Sequence, residues 1–142
     1  MILIGALLCL AAAAADSTSP GQAVRRVAAT AQLAAQEYRI GVVDGQVVAQ
    51  AEVDEARLFL EEAKRTAGTL PGGAAPPAVA ALDTLLQLVA GLAPPDTIAS
   101  RVRVLSSGLA ARFRITLDEL PRQPPRLARG AELYQSSCSS CH

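Results

Sequence analysis

The densest chemistry in the chain lies in Cys138-Ser139-Ser140-Cys141-His142. Two thiols at i and i+3, followed at once by an imidazole, form the Cys-x-x-Cys-His pattern of c-type haem attachment. One helical turn lets both thiols add to the vinyl groups of one porphyrin. The next residue, His142, then points its imidazole at the iron as the proximal ligand. Electron-carrying haems of this kind commonly take a Met on the other face. Two rival chemistries share the Cys-x-x-Cys spacing. A zinc site needs four protein ligands, or three plus water; Cys138, Cys141 and His142 supply three, and His142 is the sole histidine. A disulfide redox pair calls for a βαβ setting, and nothing upstream has that pattern. Without a partner, His142 is an exposed terminal residue.

The run Arg129-Gly130-Ala131-Glu132-Leu133-Tyr134-Gln135-Ser136-Ser137 before Cys138 resembles the first helix of a cytochrome c domain. Such a domain continues well past its histidine. The single Met is Met1, inside an apolar leader, so no distal haem ligand is offered. The expectation is that the chain is the beginning of a longer protein, with a truncated cytochrome c domain over 126–142.

A second set of candidates is acidic. The segment Gln50–Ala67 carries Glu52, Asp54, Glu55, Glu61 and Glu62. Read plainly, these form a solvated helix face, braced by Glu61–Lys64, Glu61–Arg65 and Glu62–Arg65 pairs at helix-neighbour spacing. Read functionally, Glu52, Glu55 and Glu62 are weak candidates for an iron site, because hard cations prefer carboxylate oxygens. No catalytic residue is assigned.

The elements that must position these groups are helices. The composition is rich in Ala and Leu, with two Tyr, two Phe and no Trp. Thirteen basic and thirteen acidic side chains cancel, which argues against a nucleic-acid binder. Residues 1–15 are apolar and uncharged, too short for a bilayer span of about 20 residues. They fit a signal peptide cut after Ala13-Ala14-Ala15, despite the lack of an early Lys or Arg. Cys9 follows the bulky Leu8, which suits a lipobox poorly. Residues 16–114 hold four amphipathic segments.

The first segment, about Gln22 to Ile40, aligns Val24, Val27, Ala28, Ala31, Ala34, Ala35 and Tyr38 on one face. Val53, Ala56, Leu60, Ala63 and Ala67 do the same in the second. The third, about Pro77 to Leu92, uses Val79, Leu82, Leu85, Leu86, Val89 and Leu92. In the fourth, Asp96 is placed to N-cap and Ile98, Val102, Leu105, Leu109 and Phe113 point inward. Gly41 to Val48 has the look of a hairpin around Asp44-Gly45, but its flanks are short, which favours a plain helix–helix connection with a tight turn. Pro121, Pro124 and Pro125 mark 115–125 as a linker, and 126–137 is a short helix. Residues 16–96 hold more acids than bases, and 97–142 the reverse.

The fold class that follows is all-α: an antiparallel four-helix bundle, then the first helix and haem-binding motif of a truncated cytochrome c domain. With those residues laid out, the chain resembles the N-terminal part of a bacterial fusion family. In it a secreted helical domain and a cytochrome c domain precede a membrane-embedded high-affinity iron permease. The stretches that carry the resemblance are Arg25-Arg26-Val27 to Glu37-Tyr38, Asp44 to Val48, Glu52-Val53-Asp54-Glu55 to Phe59, and Leu127 to Tyr134 running into Cys138–His142. The permease's Arg-Glu-x-x-Glu motifs occur nowhere in it. The resemblance implies one covalent haem c on Cys138 and Cys141, and export to the periplasmic side of the inner membrane. It also implies a redox partner protein and a permease domain that anchors the complete protein. The role implied is electron transfer in iron uptake, as a carrier and not an enzyme, with ferrous iron oxidation reserved for the complete protein. The alternative is a periplasmic iron-binding, sensing or structural module with no redox role of its own.

Overall fold

The computed structural model describes residues 19–117 and 126–139. Residues 1–15, residues 118–125 of the linker, Cys141 and His142 therefore lie outside the described residues. Five helices and one small hairpin are present among those described.

Helix α1 spans Pro20–Gly41 and starts two residues before the expected position. Ser19 explains the shift. Its hydroxyl accepts from the Gln22 amide at 3.3 Å, and the Gln22 side chain accepts from the Ser19 amide at 3.1 Å, a reciprocal capping box. Pro20, with no N–H to satisfy, suits the first turn. All seven residues expected on the inner face are buried.

Gly41 leads into β1 (Val42–Val43) and β2 (Gln46–Val47), paired antiparallel with Val42 opposite Val47. The hairpin judged too short to form does form. Asp44 and Gly45 adopt positive φ of 51° and 73°, the left-handed turn that a two-residue hairpin needs. Buried Val42 and the helices at both ends hold it, so it does not stand alone.

Helix α2 (Gln50–Ala67) buries Val53, Ala56, Leu60, Ala63 and Ala67, as its periodicity demands. Helix α3 (Ala75–Ala90) is displaced two residues toward the N-terminus from expectation, because Pro76 and Pro77 fit its first turn instead of preceding it. Leu82, Leu85 and Val89 are buried with Ala78, while Val79, Leu86 and Leu92 pack only at the edge. Helix α4 (Pro95–Phe113) buries Ile98, Val102, Leu105 and Leu109. Its N-cap is Pro94, not Asp96: Pro95 occupies the first turn and moves Asp96 inside the helix. Ile115 and Leu117 also pack against the core.

The helices pack in a closed cycle, α1 on α2, α2 on α3, α3 on α4 and α4 on α1. The cross-links fix the directions. Tyr38, near the end of α1, donates its hydroxyl to the Ala93 carbonyl at 2.8 Å, just before α4. Arg39 meets Asp96 at 2.6 Å. The end of α1 thus faces the start of α4, and the bundle is antiparallel. No charged residue is buried among those described, and each fully buried Leu or Val contributes about 1.5–3 kcal/mol.

Helix α5 (Leu127–Ser137) is unlike the other four. It buries nothing, and Leu127, Leu133 and Tyr134 are exposed. No cytochrome c domain is formed by the described residues; of these, 126–139 comprise only this helix and its C-terminal turn.

Candidate functional site

Glycine makes the first feature of the site possible. A Cβ at Gly41 would sit 2.7 Å from the Val53 Cγ2 and 3.0 Å from both the Ala49 carbonyl and the Val53 amide. The end of α1 and the start of α2 therefore approach closer than any other residue would permit. Glu37 lies one turn before Gly41 on α1, and Glu52 and Glu55 lie on the first turns of α2. The close approach puts one carboxylate oxygen from each of Glu37, Glu52 and Glu55 within 4.8 Å of the others. Glu37 and Glu52 are half-buried and Glu55 is exposed.

The electrostatics agree with the geometry. The Glu37 carboxyl titrates above its ordinary value of 4.5. The main cause is its hydrogen-bonding interaction with Glu52. Desolvation and the charges of Glu52 and Glu55 add to it. Three mutually repelling carboxylates at this spacing are suited to holding a cation. A hard cation bonded to oxygens at about 2.0–2.6 Å keeps its ligands within about 4–5 Å of one another. The spacing here matches that limit.

Glu62, the third expected candidate, does not join them. It lies nearly three turns further along α2, where it accepts from Arg26 at 2.5 Å and from Arg65 at 2.7 Å. Those two hydrogen bonds, Arg65 first and Arg26 second, hold its carboxyl below the ordinary value. The Glu62–Arg65 pair was visible in the spacing. Lys64 reaches across to Asp83 on α3 at 2.6 Å instead of turning to Glu61, and its pKa is raised chiefly by that bond. Glu37, the third member of the cluster, is not among the carboxylates that the sequence singles out. Its position four residues before a glycine at a helix end was the one available signal.

At the other end of the chain, Cys138 caps α5. Its amide donates to the Tyr134 carbonyl at 2.8 Å, and its thiol is exposed and free of any disulfide. An exposed, reduced thiol at the end of a helix suits thioether formation to a haem vinyl. Leu133 and Tyr134 leave apolar surface beside it.

Comparison with known families decides where the bundle belongs. A family model described as the iron permease-associated 4-helix bundle domain matches residues 13–115. The chain belongs to that family. Its matched segment takes in all of α1–α4 and the Glu37–Glu52–Glu55 cluster. Membership ties the bundle to iron uptake and to the membrane permease context of that process. No helix among the described residues is long and apolar enough to cross a membrane. No curated protein and no solved structure matches the chain.

Proposed function

We propose that the bundle holds iron for a permease at Glu37, Glu52 and Glu55, and that Cys138, Cys141 and His142 carry a haem c beside it. Both would act on the periplasmic side of the membrane. The observation that carries the iron reading is the convergence of three carboxylates from two helices, in a chain of an iron permease-associated family. The ion is cargo here. Its arrival relieves the repulsion among the three carboxylates, and the exposed side at Glu55 leaves room for water or a second protein to complete the coordination. Ferric iron, the harder of the two oxidation states, favours such an all-oxygen set.

The haem reading rests on the donor set of the motif. When bound, haem supplies one-electron chemistry, which suits a protein whose cargo changes oxidation state. Cys138 and Cys141 would hold the haem through thioethers, His142 would bind its iron, and Leu133 and Tyr134 of α5 offer apolar surface nearby. A redox partner protein completes the reading.

Two measurements test the two halves separately. Added ferric iron, kept soluble as a weak chelate, should raise the melting temperature in proportion to the logarithm of its free concentration. The rise should vanish in Glu37→Gln with Glu52→Gln. An unchanged melting temperature at millimolar iron overturns the iron site. Co-expression with cytochrome c maturation factors, followed by haem staining of denaturing gels, tests the motif. Staining that survives Cys138→Ala with Cys141→Ala overturns covalent attachment.

A further inference from the structure

A groove of about 680 Å³ runs between α1 and α4, on the side of α1 away from α2. Positions 25, 29, 32, 36 and 39 line it at helical spacing along α1. Its cations are Arg25 and Arg39 from α1 and Arg103 from α4, and among the described residues none that line it is acidic. Arg25 and Arg39 lie roughly 21 Å apart along the helix axis at 1.5 Å per residue. The contact between Arg39 and Asp96 sets the register of the antiparallel α4. Arg103 is two helical turns beyond Asp96, which places it about 10 Å along the groove, near its midpoint.

Three arginines whose backbones stand at levels about 10 Å apart match one face of an α-helix, where residues i, i+7 and i+14 recur at that spacing. The floor suits a helix as well. Ala28, Ala35, Ala99 and Ser100 are small, so a second backbone can come close. Val104, which is 68% exposed, and Leu117 supply apolar contact at the margin.

We propose that the α1–α4 groove docks an acidic amphipathic helix of a partner protein. Carboxylates at i, i+7 and i+14 meet Arg25, Arg103 and Arg39, with small or aliphatic residues between them. The fit does not depend on the arginines lacking other contacts: Arg39 can exchange the highly exposed Asp96 for a partner carboxylate. Nor does it depend on iron at Glu37, Glu52 and Glu55, which lie where α1 meets α2. A small polycarboxylate would reach one or two of the cations and leave the rest of the groove open.

The test uses the full chain, labelled with ¹⁵N, and a synthetic helical peptide with glutamates at i, i+7 and i+14 in an alanine–glutamine background. Amide shifts should be confined to α1 and α4. Arg103→Glu should weaken binding by about tenfold or more, as loss and reversal of one central charge contact does. Ala29→Trp, at an exposed position on the groove wall, should block binding while leaving the helical melt intact. A peptide with lysines in place of the glutamates should not bind. The proposal is overturned by an absence of shifts at millimolar peptide, by shifts centred on α2 or α3, or by undiminished binding to both variants. Equal binding of the lysine peptide would overturn it too. Citrate producing the same shifts where the peptide produces none would mark a small-anion site and sink the helix-docking reading.

Discussion

Helix α2 carries carboxylates at both ends, and they live in opposite environments. Near its start, Glu52 and Glu55 face Glu37 across a helix contact. Nearer its end, Glu62 sits between Arg26 and Arg65. The first group raises the titration of Glu37, and the second lowers that of Glu62. One helix and one residue type thus give an unsatisfied acidic cluster and a satisfied ion-pair network. The difference comes from α1, which presents Glu37 at one level and Arg26 at the other. Repulsion retained in a folded protein is informative, because the bundle's apolar core must outweigh it.

The largest effect should come from closing the gap that creates the cluster. Gly41→Val pushes a branched side chain into Val53 and the Ala49 carbonyl, and overpacking of this kind costs on the order of 1–3 kcal/mol. A thermal melt should show the loss, and iron should no longer raise the melting temperature. A variant of wild-type stability that keeps its iron response would break the link between helix approach and site.

Next in size is the contrast between the two ends under iron. Glu37→Gln should remove most of the iron-dependent rise in melting temperature, and Glu62→Gln should leave it in place. Equal losses in both variants would mean that α2 attracts cations through its overall charge and that the cluster has no special role.

Proton linkage gives a smaller effect with opposite signs. The folded-state pKa of Glu37 is raised, so its contribution is fully present below the ordinary value of 4.5 and is lost as pH rises through the folded value. The folded-state pKa of Glu62 is lowered, so its contribution is present above 4.5 and is lost as pH falls through the folded value. Urea titrations across this range should show that Glu37→Gln flattens the fall in stability above 4.5, and that Glu62→Gln flattens the fall below it. The same sign of change in both variants would contradict the two environments.

The smallest effect belongs to Arg26→Ala. Exposed ion pairs contribute little, and Arg65 still holds Glu62 after the change. A slight drop in melting temperature that shrinks further in high salt is expected. A large drop would show that Arg26 packs as well as pairs.

The inner faces of the helices could be read from the residues alone. Every residue placed inward in α1 and α2 is buried, because a period of 3.6 is a local property that survives any arrangement of neighbours. Helix ends were read less well. Proline at the first turns of α3 and α4 marked starts instead of preceding them, and the Ser19–Gln22 capping box extended α1. The hairpin was underrated because two residues per strand fail in isolation, whereas here the flanking helices hold the turn closed. The Cys-x-x-Cys-His pattern is legible in the sequence outright, since its residues are contiguous.

What the sequence determined by itself was therefore the helical periodicity, the breaks between helices and the one contiguous motif. Only the tertiary structure decided which outward-facing residues meet. Glu37 joins Glu52 and Glu55, Glu62 goes to Arg26, and three arginines share one groove. The physical reason is that a helix's own period fixes a residue's angle around its axis, but not the angle, depth or level of the helix beside it. A glycine close approach or a cross-helix ion pair sets those, and both act between residues distant in the chain.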